Sequence, residues 1–125
     1  MNVVDSSAWL EYFADGPNAA YFRKPIEDEE ALIVPSITLF EVFKRVYIQR
    51  GEEAALRAIA TMESGQVIDL GAPLALQAAY ISANNQLPMA DSIILATARA
   101  FDALLWTQDA DFERFDGVKY RVRGG

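Results

Sequence analysis

Short apolar runs at residues 2–5, 32–35, 67–70 and 103–107 each end at a polar or proline-containing turn, and each is followed by a stretch of helical period. A strand with one wet face alternates apolar and polar residues, whereas a strand covered on both faces is apolar throughout. Val3-Val4, Leu32-Ile33-Val34 and Leu104-Leu105-Trp106 do not alternate. Strands of that kind, separated by helices, predict an α/β fold: a three-layer α/β/α sandwich on a mostly parallel sheet. A last edge strand at 118–122 brings the sheet to about five strands.

The intervening segments read as helices at 7–13, 18–30, 36 to about 50, 52–64 and 72–84. Residues 89–101 form the longest apolar helix, and 111–115 a short turn. Asp15-Gly16-Pro17, Gly51, Gly65 and Asn84-Asn85 interrupt them. Ser36 or Thr38 is expected to cap the third helix. The run Glu27-Asp28-Glu29-Glu30 reads as a solvated face. No repeat, linker or low-complexity tract divides the chain, so residues 1–125 are expected to form a single domain.

Histidine and cysteine are both absent. That removes the usual general base, the thiol nucleophile and the soft ligands of zinc sites. Polar chemistry here must come from carboxylates, hydroxyls and lysines, and a metal would be a hard cation held by oxygen, Mg²⁺ or Mn²⁺. No apolar run reaches a membrane-spanning length and the first residues are not a basic signal start, so a cytoplasmic protein with no membrane association is expected. The net charge of −7 argues against phosphate binding only superficially. Two bound divalent cations would offset more than half of it. Lys44, Arg45, Arg99, Arg114, Lys119, Arg121 and Arg123 also fall near the candidate site segments.

Four acids stand among apolar neighbours. Asp5 follows Val3-Val4, and Glu41 lies one turn after Ile37 in an apolar helix. Asp91 stands at the mouth of the helix containing Ile93-Ile94-Leu95, and Asp109 lies two residues beyond Thr107, with Asp111 two further on. Each has a local explanation. Asp5 and Asp91 fit helix caps or first-turn acids, Glu41 fits a pair with Arg45, and Asp109 and Asp111 fit Asx turns. Capping accounts for each acid singly but not for the convergence of several on one sheet edge. Converging carboxylates repel unless a cation is present, and two cations suit in-line phosphoryl displacement by water.

Val4-Asp5-Ser6-Ser7, Glu41 in its apolar helix, Ala90-Asp91 before Ile93-Ile94-Leu95-Ala96, and Thr107-Gln108-Asp109-Ala110-Asp111-Phe112 resemble the acidic motifs of PIN-domain ribonucleases. The compact length and the Leu87-Pro88-Met89-Ala90-Asp91 context are most similar to the VapC-type toxins of toxin–antitoxin pairs. The resemblance covers essentially the whole chain. It implies a Mg²⁺- or Mn²⁺-dependent endoribonuclease with Asp5, Glu41, Asp91 and Asp109 as metal-holding catalytic acids. Asp111 would be auxiliary, with Ser6 and Thr107 holding the site through their hydroxyls. It further implies a homodimer and a small VapB-like antitoxin whose basic C-terminal segment covers the site. The groove for that segment is expected between the helix containing Trp9 and Phe13 and the one containing Phe40 and Tyr47. The bulky, basic Phe43-Lys44-Arg45 departs from the small residue many relatives carry after the glutamate.

Other classes fit less well. A receiver-type phosphoacceptor would need paired acids after the first strand and a lysine after the last. A haloacid-type phosphatase would need Asp-x-Asp where this chain has Asp5-Ser6-Ser7, and nucleotide-binding folds need a glycine-rich turn. A catalytically silent PIN-like binding module is the remaining alternative. Arg121-Val122-Arg123-Gly124-Gly125 reads as a frayed basic tail, with phosphate contact as the alternative.

Overall fold

The computed structural model describes residues 1–124. Five strands, β1 (Asn2–Val4), β2 (Leu32–Pro35), β3 (Gln66–Ile68), β4 (Leu104–Thr107) and β5 (Val118–Tyr120), form one sheet in the order β3-β2-β1-β4-β5. All four pairings are parallel, with Val3 opposite Ile33 and Leu105, and Leu105 opposite Val118. The mostly parallel sheet expected from the apolar runs is thus wholly parallel among the described residues.

Helices α1 (Ser6–Phe13), α2 (Ala19–Ile26), α3 (Ser36–Arg50) and α4 (Glu52–Met62) cover one face, and α5 (Ala72–Asn85) and α6 (Met89–Ala100) cover the other. Successive strand residues therefore feed two cores. Val3, Ile33 and Leu105 pack against Ile81, Ile94 and Leu95, whereas Val4, Leu32 and Val34 pack against Trp9, Phe22, Val42 and Met62. Double coverage is the reason the central strands carry no polar alternation.

Several boundaries differ from the sequence reading. The helix expected over 18–30 ends at Ile26, and Glu29–Ala31 forms a separate 3-10 turn. Pro25 removes a backbone donor in the last turn, and extension would place Glu27–Glu30 at the negative end of the helix dipole. Neither Ser36 nor Thr38 caps α3. Pro35 holds the N-cap position, and the Thr38 hydroxyl donates back to its carbonyl at 2.7 Å. α6 is buried continuously from Ser92 to Ala98, while α3 and α5 exceed it in length. The Ser92 and Thr97 hydroxyls are satisfied by the Pro88 and Ile93 carbonyls, so the continuous burial leaves neither unpaired.

The strand order reverses at β1 and β4: the chain steps outward from β1 through β2 to β3, then returns to the other side of β1. In open α/β sheets such a switch point opens a crevice beyond the carboxyl ends of the strands. Asp5 and Asp109 leave the sheet there, and the Asp5 N–H donates to the Trp106 carbonyl at 3.1 Å.

Gly65 sets the approach of β3 to β2. A Cβ at this position would lie 2.9 Å from the Leu32 carbonyl oxygen and 2.9 Å from side-chain carbons of Leu32 and Val34. Gly65→Ala is expected to cost about 1–3 kcal/mol, read as a lowered urea midpoint with an unchanged slope.

Candidate active site

Each acid reaches the switch point from a different element. Asp5 is the N-cap of α1: its carboxylate accepts from the Ala8 N–H at 3.1 Å and from the Ser7 hydroxyl at 2.8 Å. It is 2% exposed. Glu41 projects from the second turn of α3 and accepts from the Ser6 hydroxyl at 2.6 Å. Among the described residues it forms no ion pair with Arg45; the two ion pairs are Arg23–Glu27 and Arg57–Glu53.

Asp91 sits in the first turn of α6 but does not cap it, since Pro88 holds the N-cap position and no side chain caps the end. Asp109 caps the 3-10 turn Ala110–Phe112 by accepting from the Asp111 N–H at 2.9 Å. Its own N–H donates at 2.8 Å to the hydroxyl of the fully buried Thr107.

Asp5, Glu41, Asp91 and Asp109 all line one cavity of about 880 Å³. Carboxylate oxygens of Asp91, Asp109 and Asp111 also lie within 4.8 Å of one another. The Asx turn at Asp109 folds Asp111 toward Asp91, so Asp111 joins this oxygen cluster while standing outside the cavity lining. Ser6 orients Glu41, and Thr107 holds the backbone of Asp109.

The charges interact across the cavity. Burial raises the Asp91 carboxyl to about 7, and Asp109, Asp5, Glu41 and Asp111 add to the rise. Burial raises Asp5 to about 6; hydrogen bonds from Ser7, Ala8 and Thr107 oppose the shift, and Asp109 adds to it. An all-oxygen donor set whose members hold one another's charge in check matches a hard divalent cation. The residues present therefore fit Mg²⁺ or Mn²⁺.

The cavity wall also includes Lys44, Arg45, Arg57, Gln108 and Arg123. The buried residues Asn18 and Gln108 escaped the sequence reading. The Asn18 side-chain amide donates to the Gln108 side-chain oxygen Oε1 at 3.0 Å, a contact across 90 positions with no local signal. Leu10 and Phe13 of α1 and Phe40 of α3 line the cavity beside the acids, while Trp9 is fully buried, stacked on Phe13. A second, apolar groove, lined by Leu39, Phe40, Phe43, Lys44, Tyr47 and Ile59, adjoins the cavity at Phe40 and Lys44.

The basic tail also differs from a frayed end as far as it is described. The Arg121 N–H donates to the Thr107 carbonyl, and its guanidinium lies 4.6 Å from the Tyr21 ring centroid. The Val122 carbonyl accepts from Asn18 at 2.9 Å. Gly125, the last residue of that tail, lies outside the described residues.

The raised acids predict a pH dependence. Asp5 and Asp91 bind protons more tightly folded than unfolded, so their contribution to stability is greatest below about pH 4. It is lost as pH rises through about 6 and 7. In EDTA, the melting temperature should therefore fall between pH 5 and pH 8, and Asp91→Asn should flatten that fall. An equally steep fall in the variant would contradict the charge cluster.

Comparison with known proteins agrees with this architecture. The PIN-domain family model matches residues 3–118. Among solved structures, a toxin–antitoxin complex from Klebsiella pneumoniae superposes with a TM-score of 0.81 at 21% identity, covering 95% of this chain and 96% of that one. The sarcin–ricin loop cleaving toxin VapC20 of Mycobacterium tuberculosis gives 0.75 at 18% identity, over 90% and 93%. DNA-bound VapBC from Salmonella typhimurium gives 0.74 at 17%, over 98% of each chain. No curated protein matches by sequence. With the family model spanning nearly the whole chain and the parallel five-stranded sheet in place, this chain belongs to the PIN-domain family.

Proposed function

We propose that this protein is a Mg²⁺- or Mn²⁺-dependent endoribonuclease, the VapC-type toxin of a toxin–antitoxin pair acting in the cytoplasm. The observation that carries the reading is the convergence of Asp5, Glu41, Asp91 and Asp109, from four separate segments, on one cavity at the switch point of a PIN-domain sheet. Toxin–antitoxin complexes and a sarcin–ricin loop cleaving toxin among the structural neighbours support it.

Asp5, Glu41, Asp91 and Asp109 would hold the cations, with Asp111 as an auxiliary ligand beside Asp91 and Asp109. Bound divalent cations supply Lewis-acid polarisation of the phosphodiester and activation of the attacking water. The protein's share is positioning. Ser6 fixes the Glu41 carboxylate, Ser7 and the Ala8 N–H fix Asp5, and Thr107 fixes the turn that carries Asp109. With no histidine in the chain, the carboxylates of the cavity would accept the proton that the attacking water gives up.

The antitoxin would be a small protein whose apolar stretch fills the Leu39–Phe43–Tyr47 groove and whose basic end reaches the acidic cavity. A guanidinium fork pairs bidentately with carboxylates, and the two sites are continuous at Phe40 and Lys44. The active form is a homodimer in this reading.

Two outcomes are expected. A cation that binds only the folded state at a hundredfold excess over Kd stabilises by about 2.7 kcal/mol, so melts should rise with Mn²⁺ and hardly move with matched monovalent salt. Asp91→Asn and Asp5→Asn should melt in EDTA at or above the parent temperature, yet lose the Mn²⁺ response and at least about a hundredfold of RNA cleavage. An Asp91→Asn protein that cuts structured RNA at the parent rate would falsify the assignment. A co-purified antitoxin should lose inhibition when its basic C-terminal residues are changed to alanine. Undiminished inhibition by that variant counts against the pairing.

A further inference from the structure

The carboxyl edge of the sheet carries one element that the acids do not use. Because β5 runs parallel to β4, the chain after Tyr120 leaves the sheet beside Asp109 rather than at the far end. It is fastened there by a buried polar relay. Asn18 is 1% exposed, and its side-chain amide donates both to the Val122 carbonyl and to Gln108. Gln108, 4% exposed, donates its backbone N–H to the Ser7 hydroxyl at 3.4 Å, and Ser7 in turn donates to Asp5. The Arg121 guanidinium over the Tyr21 ring is a second hold on the same segment. Arg123, one residue past Val122, lines the cavity together with all four acids, and among the described residues it is ion-paired with none of them.

An exposed arginine held at the rim of an acidic cavity is poised for an anion entering from solvent. Lys44, Arg45 and Arg57 line the same cavity from α3 and α4, so cationic side chains reach it both from the tail and from these helices. In a chain of net charge −7, phosphate neutralisation has to come from such local placement. The guanidinium fork also matches two phosphate oxygens better than an ammonium does.

We propose that Arg123 binds a backbone phosphate of the substrate strand beside the acidic cavity, and that Asn18 is the residue that positions it. The inference rests on the nuclease reading above. It adds a substrate-binding residue to the tail and gives a role to a buried asparagine that lies far from the acidic motifs in sequence.

Steady-state cleavage of a labelled RNA hairpin at fixed Mn²⁺, repeated over a range of KCl, tests it. Arg123→Gln should raise KM about tenfold, with kcat within about twofold, as for loss of one charge-assisted hydrogen bond. The slope of log kcat/KM against log salt should become shallower by about one. Arg23→Gln, which removes a positive charge from a surface pair outside the cavity, should change neither. Asn18→Ala should reproduce the KM rise and the shallower slope, whatever it does to the melting temperature. Parental KM and slope in Arg123→Gln overturn the phosphate contact while leaving the nuclease reading intact. Parental values in Asn18→Ala overturn the positioning role. A parent protein that cuts no RNA with Mn²⁺ overturns the nuclease reading and this inference with it.

Discussion

The burial of mutually repelling carboxylates at the carboxyl edge of the sheet is the constraint around which the rest of the structure is arranged. Burial and neighbouring negative charge both disfavour the ionised form of Asp91, and burial alone accounts for most of the rise at Asp5. A chain that folds with these groups together needs its favourable free energy elsewhere. It comes from the two apolar cores on the faces of the sheet, built around Ile94, Leu95 and Leu105 on one side and Trp9, Phe22 and Met62 on the other. Parallel pairing makes the arrangement possible. It sends the ends of β1, β4 and β5 out along one edge, so one crevice receives residues distant in sequence.

Capping and charge clustering are not competing explanations at this edge, because some residues do both. Asp5 satisfies a free N–H at the start of α1 while its carboxylate faces the cavity, and Asp109 does the same for the turn at Ala110–Phe112. Asp91 is the exception. It sits where a first-turn acid is favourable but makes no cap, and its carboxyl is the one raised furthest toward neutral pH. An aspartate raised this far by burial, with its neighbours adding to the rise, is costly to the apo protein, and that cost falls when a cation shares the site.

Net charge describes this molecule poorly. The protein is acidic as a whole, yet Lys44, Arg45, Arg57 and Arg123 stand around the same cavity as the four acids. The bulky, basic stretch Phe43-Lys44-Arg45 divides between two surfaces. Phe43 and Lys44 line the apolar groove, and Lys44 and Arg45 face the acidic cavity. One turn of α3 thereby joins a surface suited to an apolar chain with one suited to phosphate or a cation.

The sequence by itself determined the layered α/β class and the strand positions, and it singled out the acids that the fold brings to one cavity. Those signals are local: unbroken apolar runs at Val3-Val4 and Leu32-Ile33-Val34, glycine and proline breakers, and acids set against apolar neighbours. It misplaced the end of α2 and the cap of α3. There the outcome depended on a proline in the last turn and on β2 running directly into the next helix. Tertiary structure alone decided that Asp111 folds toward Asp91, that Trp9 is sealed in the core, and that Asn18 fastens a tail more than a hundred residues away. Helical and strand periods report which face a residue occupies on its own element. They carry no information about which distant backbone carbonyl will meet it once the elements pack.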